Sequence, residues 1–180
     1  MTPRPPYCVR SRGSALIFTL AALLVIALGA LFTLRGVLTD AGLTGRFGER
    51  AKNVPASDLA LQYLVTQIES RPAGQMLEID AVGQPWYLAT PLTAAPGPAY
   101  WTACENQPAT SQDTCAAVPM PAGVSQTAWV FVEPTGRTDS YACNTRNLDA
   151  VYYDLWVHTV DSQGTVATNT EALYKLCVLD

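Results

Sequence analysis

RSRGSALIFTLAALLVIALGALFTLRG, Arg10 to Gly36, sets how the rest of the chain is read. Ser14 to Leu34 is 21 residues with no charge, no proline and no side-chain amide. At about 1.5 Å per helical residue such a run spans the roughly 30 Å hydrocarbon core of a bilayer. Arg4, Arg10 and Arg12 precede it and no acid does. That imbalance predicts an N-terminus held in the cytoplasm and a chain sent across the membrane. The run could be a cleaved secretory signal, for which the small residues of ALGA, Ala27–Ala30, would serve as cut site. It is long for that, since the apolar part of a signal is usually about 7–15 residues. It could instead be a retained anchor.

A third reading rests on Gly13 and Ser14 together with a second stretch. A short basic leader ends in Gly13, and the apolar run begins at Ser14. Downstream lies TGRFGERAKNVPASDLALQYL, Thr44–Leu64, in which Gly45, Glu49, Arg50, Ala56, Asp58, Ala60 and Leu61 form a recognisable pattern. Together these resemble the type IV prepilins, and within them the PilX group of minor pilins, over about residues 10–69. The resemblance implies an α+β, type IV pilin-like fold. In it a long N-terminal hydrophobic helix packs on an antiparallel β-sheet with disulfide-closed loops. It implies cleavage between Gly13 and Ser14 by a prepilin peptidase, N-methylation of Ser14, and retention of the helix. The implied function is initiation of type IV pilus assembly at or near the pilus tip. The implied partners are other minor pilins, the major pilin and a PilY-type tip adhesin. The implied location is the inner membrane, single-pass with a periplasmic C-terminal domain, and then the pilus.

Two departures stand out. Most type IV pilins carry glutamate as the fifth mature residue, and here that place holds Phe18. A carboxylate inside a bilayer costs about 2.5–3.5 kcal/mol even on the mildest scales. Pilins are understood to offset it with a neighbour's N-terminal amine, so a subunit with Phe18 suits a filament end better than a repeating position. The second departure is Pro55, which predicts a helix break in NVPASD. A GspK-like type II secretion pseudopilin and a membrane-anchored periplasmic binding module unrelated to pili remain as alternatives.

The expected organisation is a leader over 1–13, a transmembrane or filament-core helix over 14–35, and a helical continuation over 36–75 broken near Pro55. An antiparallel β domain follows over 76–180. Gly42, Gly45 and Gly48 weaken the helix by about 1 kcal/mol each relative to alanine. They suit either close helix packing or a flexible joint. Leu61, Leu64, Val65 and Ile68 form a helical stripe, and SRPAG ends it. QMLEID, PWYLATPL and AYWTAC are short strand candidates, and QTAWVFV is a stronger one. VYYDLWVHTV and TVATNTEALYKLCV alternate as a hairpin joined by DSQG, with Val151, Tyr153, Leu155 and Val157 on one face. Glu105–Gly123 and Pro134–Asn147 read as irregular loops.

Charge and cysteine content narrow the functions. From Gly36 onward seven Lys/Arg face fifteen Asp/Glu, a net of −8, which repels phosphate and disfavours direct nucleic-acid binding. Cys8 lies in the leader. Its removal leaves Cys104, Cys115, Cys143 and Cys177, an even set suited to disulfides outside the cytoplasm. Of three pairings, Cys104–Cys115 with Cys143–Cys177 is favoured: the first closes a short loop and the second ties the final strand to the preceding one's loop. No C-x2-C spacing supports zinc, and the DSQGT segment is too poor in oxygens for an EF-hand-like calcium loop. No catalytic set, metal site or cofactor motif is read. The one histidine, His158, is expected as a solvent-facing or edge residue. Glu78 with Asp80, and Asp139 with Asp149, are candidate carboxylate pairs, expected as solvated surface groups.

Overall fold

The computed structural model describes residues 14–106, 115–144 and 147–179. The chain divides into two units, Met1–Gly45 and Arg46–Asp180, taken separately here. Helix α1, Ser14–Glu69, contributes to both. In the first unit the described side chains from Leu16 onward are exposed, as an apolar helix without protein partners must be.

In the second unit α1 lies on a four-stranded antiparallel sheet of order β1-β2-β3-β4. The strands are β1 Ala116–Ala117, β2 Thr127–Asp139, β3 Leu148–Val160 and β4 Ala167–Leu179. Ala56, Ala60, Leu64 and Ile68 recur at four-residue steps and are buried. Ala60, Leu64 and Ile68 meet Val130 and Val132 of β2 and Tyr153, Leu155 and Val157 of β3 in one core. Burying Leu64 and Ile68 contributes roughly 1.5–3 kcal/mol each. Polar pairs fix where the helix sits. Asn53 Nδ2 donates to the Val166 carbonyl at 3.0 Å, and Ser57 Oγ lies 2.9 Å from Thr159 Oγ1.

The expected break near Pro55 does not occur: α1 runs through it. Pro55 and Ala51 both face solvent, so the carbonyl left without its N–H partner is open to water. Asn53, Ala56 and Ser57 on the buried face hold the helix in register across the proline. The helix is likewise continuous through Gly42, Gly45 and Gly48. It ends before Pro72, and Arg71 Nη1 then donates to the Asp80 carbonyl at 3.1 Å.

Three strand expectations are corrected. QMLEID holds a one-turn helix, α2 Leu77–Asp80, tied down where Tyr153 Oη accepts from Leu77 N–H and donates to Glu78 Oε2. AYWTAC lies in a helix, α3 Pro98–Glu105, whose Pro98 sits in the first turn where its missing N–H costs nothing. PWYLATPL is a strap rather than a strand. It touches β2 through Leu88 N–H to the Val132 carbonyl and Val132 N–H to the Trp86 carbonyl, both 2.8 Å. The segment expected to be irregular from Pro134 is strand as far as Asp139. A register shift between Pro134 and Thr138 absorbs the proline, with Gly136 at φ +69°.

The β3–β4 hairpin forms as expected, in unbroken register from Val160↔Ala167 to Leu148↔Leu179. Asp161 closes its turn by accepting from Thr165 N–H, Thr165 Oγ1 and Val166 N–H. These bonds, the Val166 amide first, hold its carboxyl below the usual range.

Candidate functional site

The helix surface of the first unit is the most conspicuous candidate. It is long and apolar enough to cross a membrane. Leu16, Ile17, Phe18, Leu20, Leu23, Leu24, Val25, Ile26, Leu31, Phe32 and Leu34 expose most or much of their surface. An exposed apolar surface of this extent marks a place for lipid or another apolar surface. A Cβ added at Gly29, Gly42, Gly45 or Gly48 would meet nothing within 4 Å. Folding of this chain therefore does not demand glycine there. Phe18 lies on this surface, 72% exposed. Gly13, Cys8 and the rest of the expected leader, 1–13, lie outside the described residues. Ser14 is the first residue of α1 as described.

A second, compact cluster occupies the sheet face away from α1. Trp101 and Cys104 of α3 pack with Cys115, Phe131 of β2 and Trp156 of β3. The Cys104–Cys115 disulfide, Cα–Cα 6.0 Å, fastens α3 to the start of β1. Glu133 is buried there and accepts from Trp156 Nε1 at 2.9 Å and from Leu92 N–H at 2.6 Å. Burial, reinforced by the charge of Glu133, pushes the Tyr100 phenol well above its usual range.

His158 belongs to this cluster, which corrects its expected solvent exposure. Its side is buried, its Nε2 lies 3.0 Å from Glu105 Oε1, and its Nδ1 meets Asn169 Oδ1. No serine or free thiol stands beside it among these contacts; the cysteine nearest in α3 is disulfide-bonded. The carboxylate–imidazole–amide chain links α3, β3 and β4.

The second disulfide, Cys143–Cys177, has Cα–Cα 6.1 Å and ties the β2–β3 connection to β4. Both disulfides pair as the favoured layout had them. Glu78 is engaged by Tyr153, whose phenol is raised by burial first and by that hydrogen bond second. Asp139 pairs in register with Ala150, not with Asp149, whose partner across β3–β4 is Val178. Among the described residues no three His, Cys, Asp or Glu side chains converge as a metal site.

Comparison with known proteins finds no matching family model, no matching curated protein and no matching solved structure.

Sequence reasoning missed Glu133, Trp101 and Asn53. One signal was present. Trp129, Phe131 and Trp156 occupy the strand positions opposite the favoured apolar face. Bulky aromatics on both faces indicate a sheet covered on both sides.

Proposed function

We propose that this chain is a minor pilin of the PilX kind, acting in the initiation of type IV pilus assembly and residing at or near the tip. The supporting observation is the uncharged run Ser14–Leu34, which follows Gly13 in the sequence, exposes its large apolar side chains on α1 and leads along the chain to a disulfide-tied α+β domain. A prepilin peptidase would remove residues 1–13 and leave Ser14 as the first residue. In the inner membrane the helix would pack sideways against the helices of other minor pilins and of the major pilin. Lipid supplies no hydrophobic push between helices, so shape and small residues such as Gly29 would govern that packing. Phe18 in place of the usual carboxylate suits a terminal position. A PilY-type adhesin would be met by the periplasmic domain.

Mass spectrometry of the mature N-terminus tests this. Chain recovered from sheared surface fibres should begin at Ser14, with or without a methyl group. Chain that begins only at Met1 and stays in the membrane fraction would instead make the protein an anchored periplasmic module. A start near Leu31 would make it a secreted protein.

A further inference from the structure

The two edges of the sheet are treated differently. The outer edge of β2 is covered by β1, by Val118 N–H donating to the Ala128 carbonyl, and by the strap at Trp86–Leu88. Among the described residues the outer edge of β4 is closed only at its end, where Leu179 N–H donates to the Gly74 carbonyl at 2.8 Å. That bond shows which peptide groups point away from β3. Leu179 points outward and the β3–β4 register has no interruption, so Asn169, Glu171, Leu173 and Lys175 point outward too. Among the described residues no backbone group pairs with these four on that side. An open stretch of this length is a template for another strand.

The side chains say which strand. Glu171, Leu173 and Lys175 share one face, opposite the one packed on α1, and all are exposed, Leu173 by 54%. Among the described residues Glu171 and Lys175 have no ion-pair partner; Lys175 Nζ donates to the Ala142 carbonyl. We propose that β4 pairs antiparallel with β4 of a second copy of this chain, about a two-fold axis at Leu173. In that register Leu173 meets its own copy, Glu171 meets Lys175 of the copy, and Lys175 meets Glu171. Three opposed pairs of outward-pointing residues then exchange about six main-chain hydrogen bonds. Centring the pairing on Glu171 or on Lys175 sets like charges opposite one another, which disfavours those registers. The interface is isologous and joins two sheets into one. It depends on the edge strand alone and stands apart from the pilin reading.

The test uses the full chain in detergent, with Cys8→Ser to remove the cysteine left over from the two disulfides and Leu173→Cys at the axis. A short oxidation pulse followed by a non-reducing gel should give a covalent dimer. Gln163→Cys at the hairpin tip should give little. Glu171→Lys alone places lysine against lysine, and Lys175→Glu alone places glutamate against glutamate. Either should lower the yield about tenfold or more. Mixing the two single variants should restore it, because each Lys/Lys strand then faces a Glu/Glu strand. That recovery also shows both variants to be folded. Yields indifferent to the charge reversals, a mixture that fails to recover, or Gln163→Cys cross-linking as well as Leu173→Cys would overturn the proposal.

Discussion

The indole of Trp101 stacks on the imidazole of His158, ring centroids 4.7 Å apart and planes 11° from parallel. Trp101 comes from α3 and His158 from β3, so the contact marks where a second layer closes over the sheet. Glu105, one turn further along α3, holds the same imidazole from its Nε2 side. The layer is small, and the Cys104–Cys115 bond fastens it covalently to the chain just before β1.

Replacing both Cys104 and Cys115 by serine should therefore loosen α3 and leave the α1 side of the core intact. A closure of this length is worth about 2–3 kcal/mol. The near-ultraviolet circular dichroism of the tryptophans should weaken while the far-ultraviolet signal persists, and the denaturation midpoint should fall. An unchanged tryptophan signal would mean that aromatic packing alone seats α3.

Glu133→Gln should destabilise by about 1–3 kcal/mol. Both carboxylate oxygens accept hydrogen bonds, one from the Trp156 indole and one from the Leu92 amide. An amide can satisfy one of them and must turn its NH2 toward the other donor. Urea denaturation measures the loss. A variant as stable as the parent would show that Leu92 and the strap can move away without cost.

The hairpin and the helical stripe were legible because each rests on a local pattern, and the disulfide layout because four cysteines allow three pairings and one of them closes a short loop. Val151, Tyr153, Leu155 and Val157 alternate, and Leu64 and Ile68 fall one turn apart. The second layer was not legible in the same way. Tyr100 and Trp101 have strand-like composition, and only the distant Phe131, Trp156 and His158 give them a reason to be helical. Pro55 failed for a related reason. Proline's local cost is fixed, but burial of Asn53, Ala56 and Ser57 against β3 and β4 is a tertiary gain that no short window contains. The candidate surface on the first unit was legible outright, since length and apolarity define it.

Alkaline pH should unfold the second unit early. Burial is the largest cause raising the phenols of Tyr87, Tyr100 and Tyr153, with Glu78 or Glu133 adding to it. In the unfolded chain these groups release protons near pH 10, whereas in the folded chain they retain them. Above that pH the unfolded state binds fewer protons, so stability falls as pH rises. Their contribution is present in full below about pH 10. Urea midpoints should be level to about pH 9 and drop between about pH 10 and 11. A midpoint constant through that window would show the phenols to be solvated.

Pro55→Ala should stabilise. The substitution supplies the N–H that Ala51's carbonyl lacks and removes a ring from a helix interior. Proline costs about 3 kcal/mol there, and hydration of the exposed carbonyl already recovers part of it. A gain of about 1–2 kcal/mol in urea denaturation is expected. A loss would carry a different message. It would mean that a proline bend is needed to bring Asn53 onto Val166, and that this buried bond outweighs a regular helix.

Arg4, Arg10 and Arg12 should govern whether the disulfides form at all. Arg4, Arg10 and Arg12 are the only charges before the apolar run, and the next, Arg35, follows it. Converting all three to glutamate leaves Arg35 as the dominant cation beside the span and favours the inverted orientation. The domain would then stay in the cytoplasm, where thiols are kept reduced. Cys104, Cys115, Cys143 and Cys177 thus report topology without any added tag. Alkylating free thiols in intact cells and weighing the chain should show Cys104, Cys115, Cys143 and Cys177 unalkylated in the parent and largely alkylated in the charge-reversed variant. Both bonds should be lost together, because compartment and not local geometry is what changes. If the reversed chain forms both disulfides as fully as the parent, the arginines do not set its orientation.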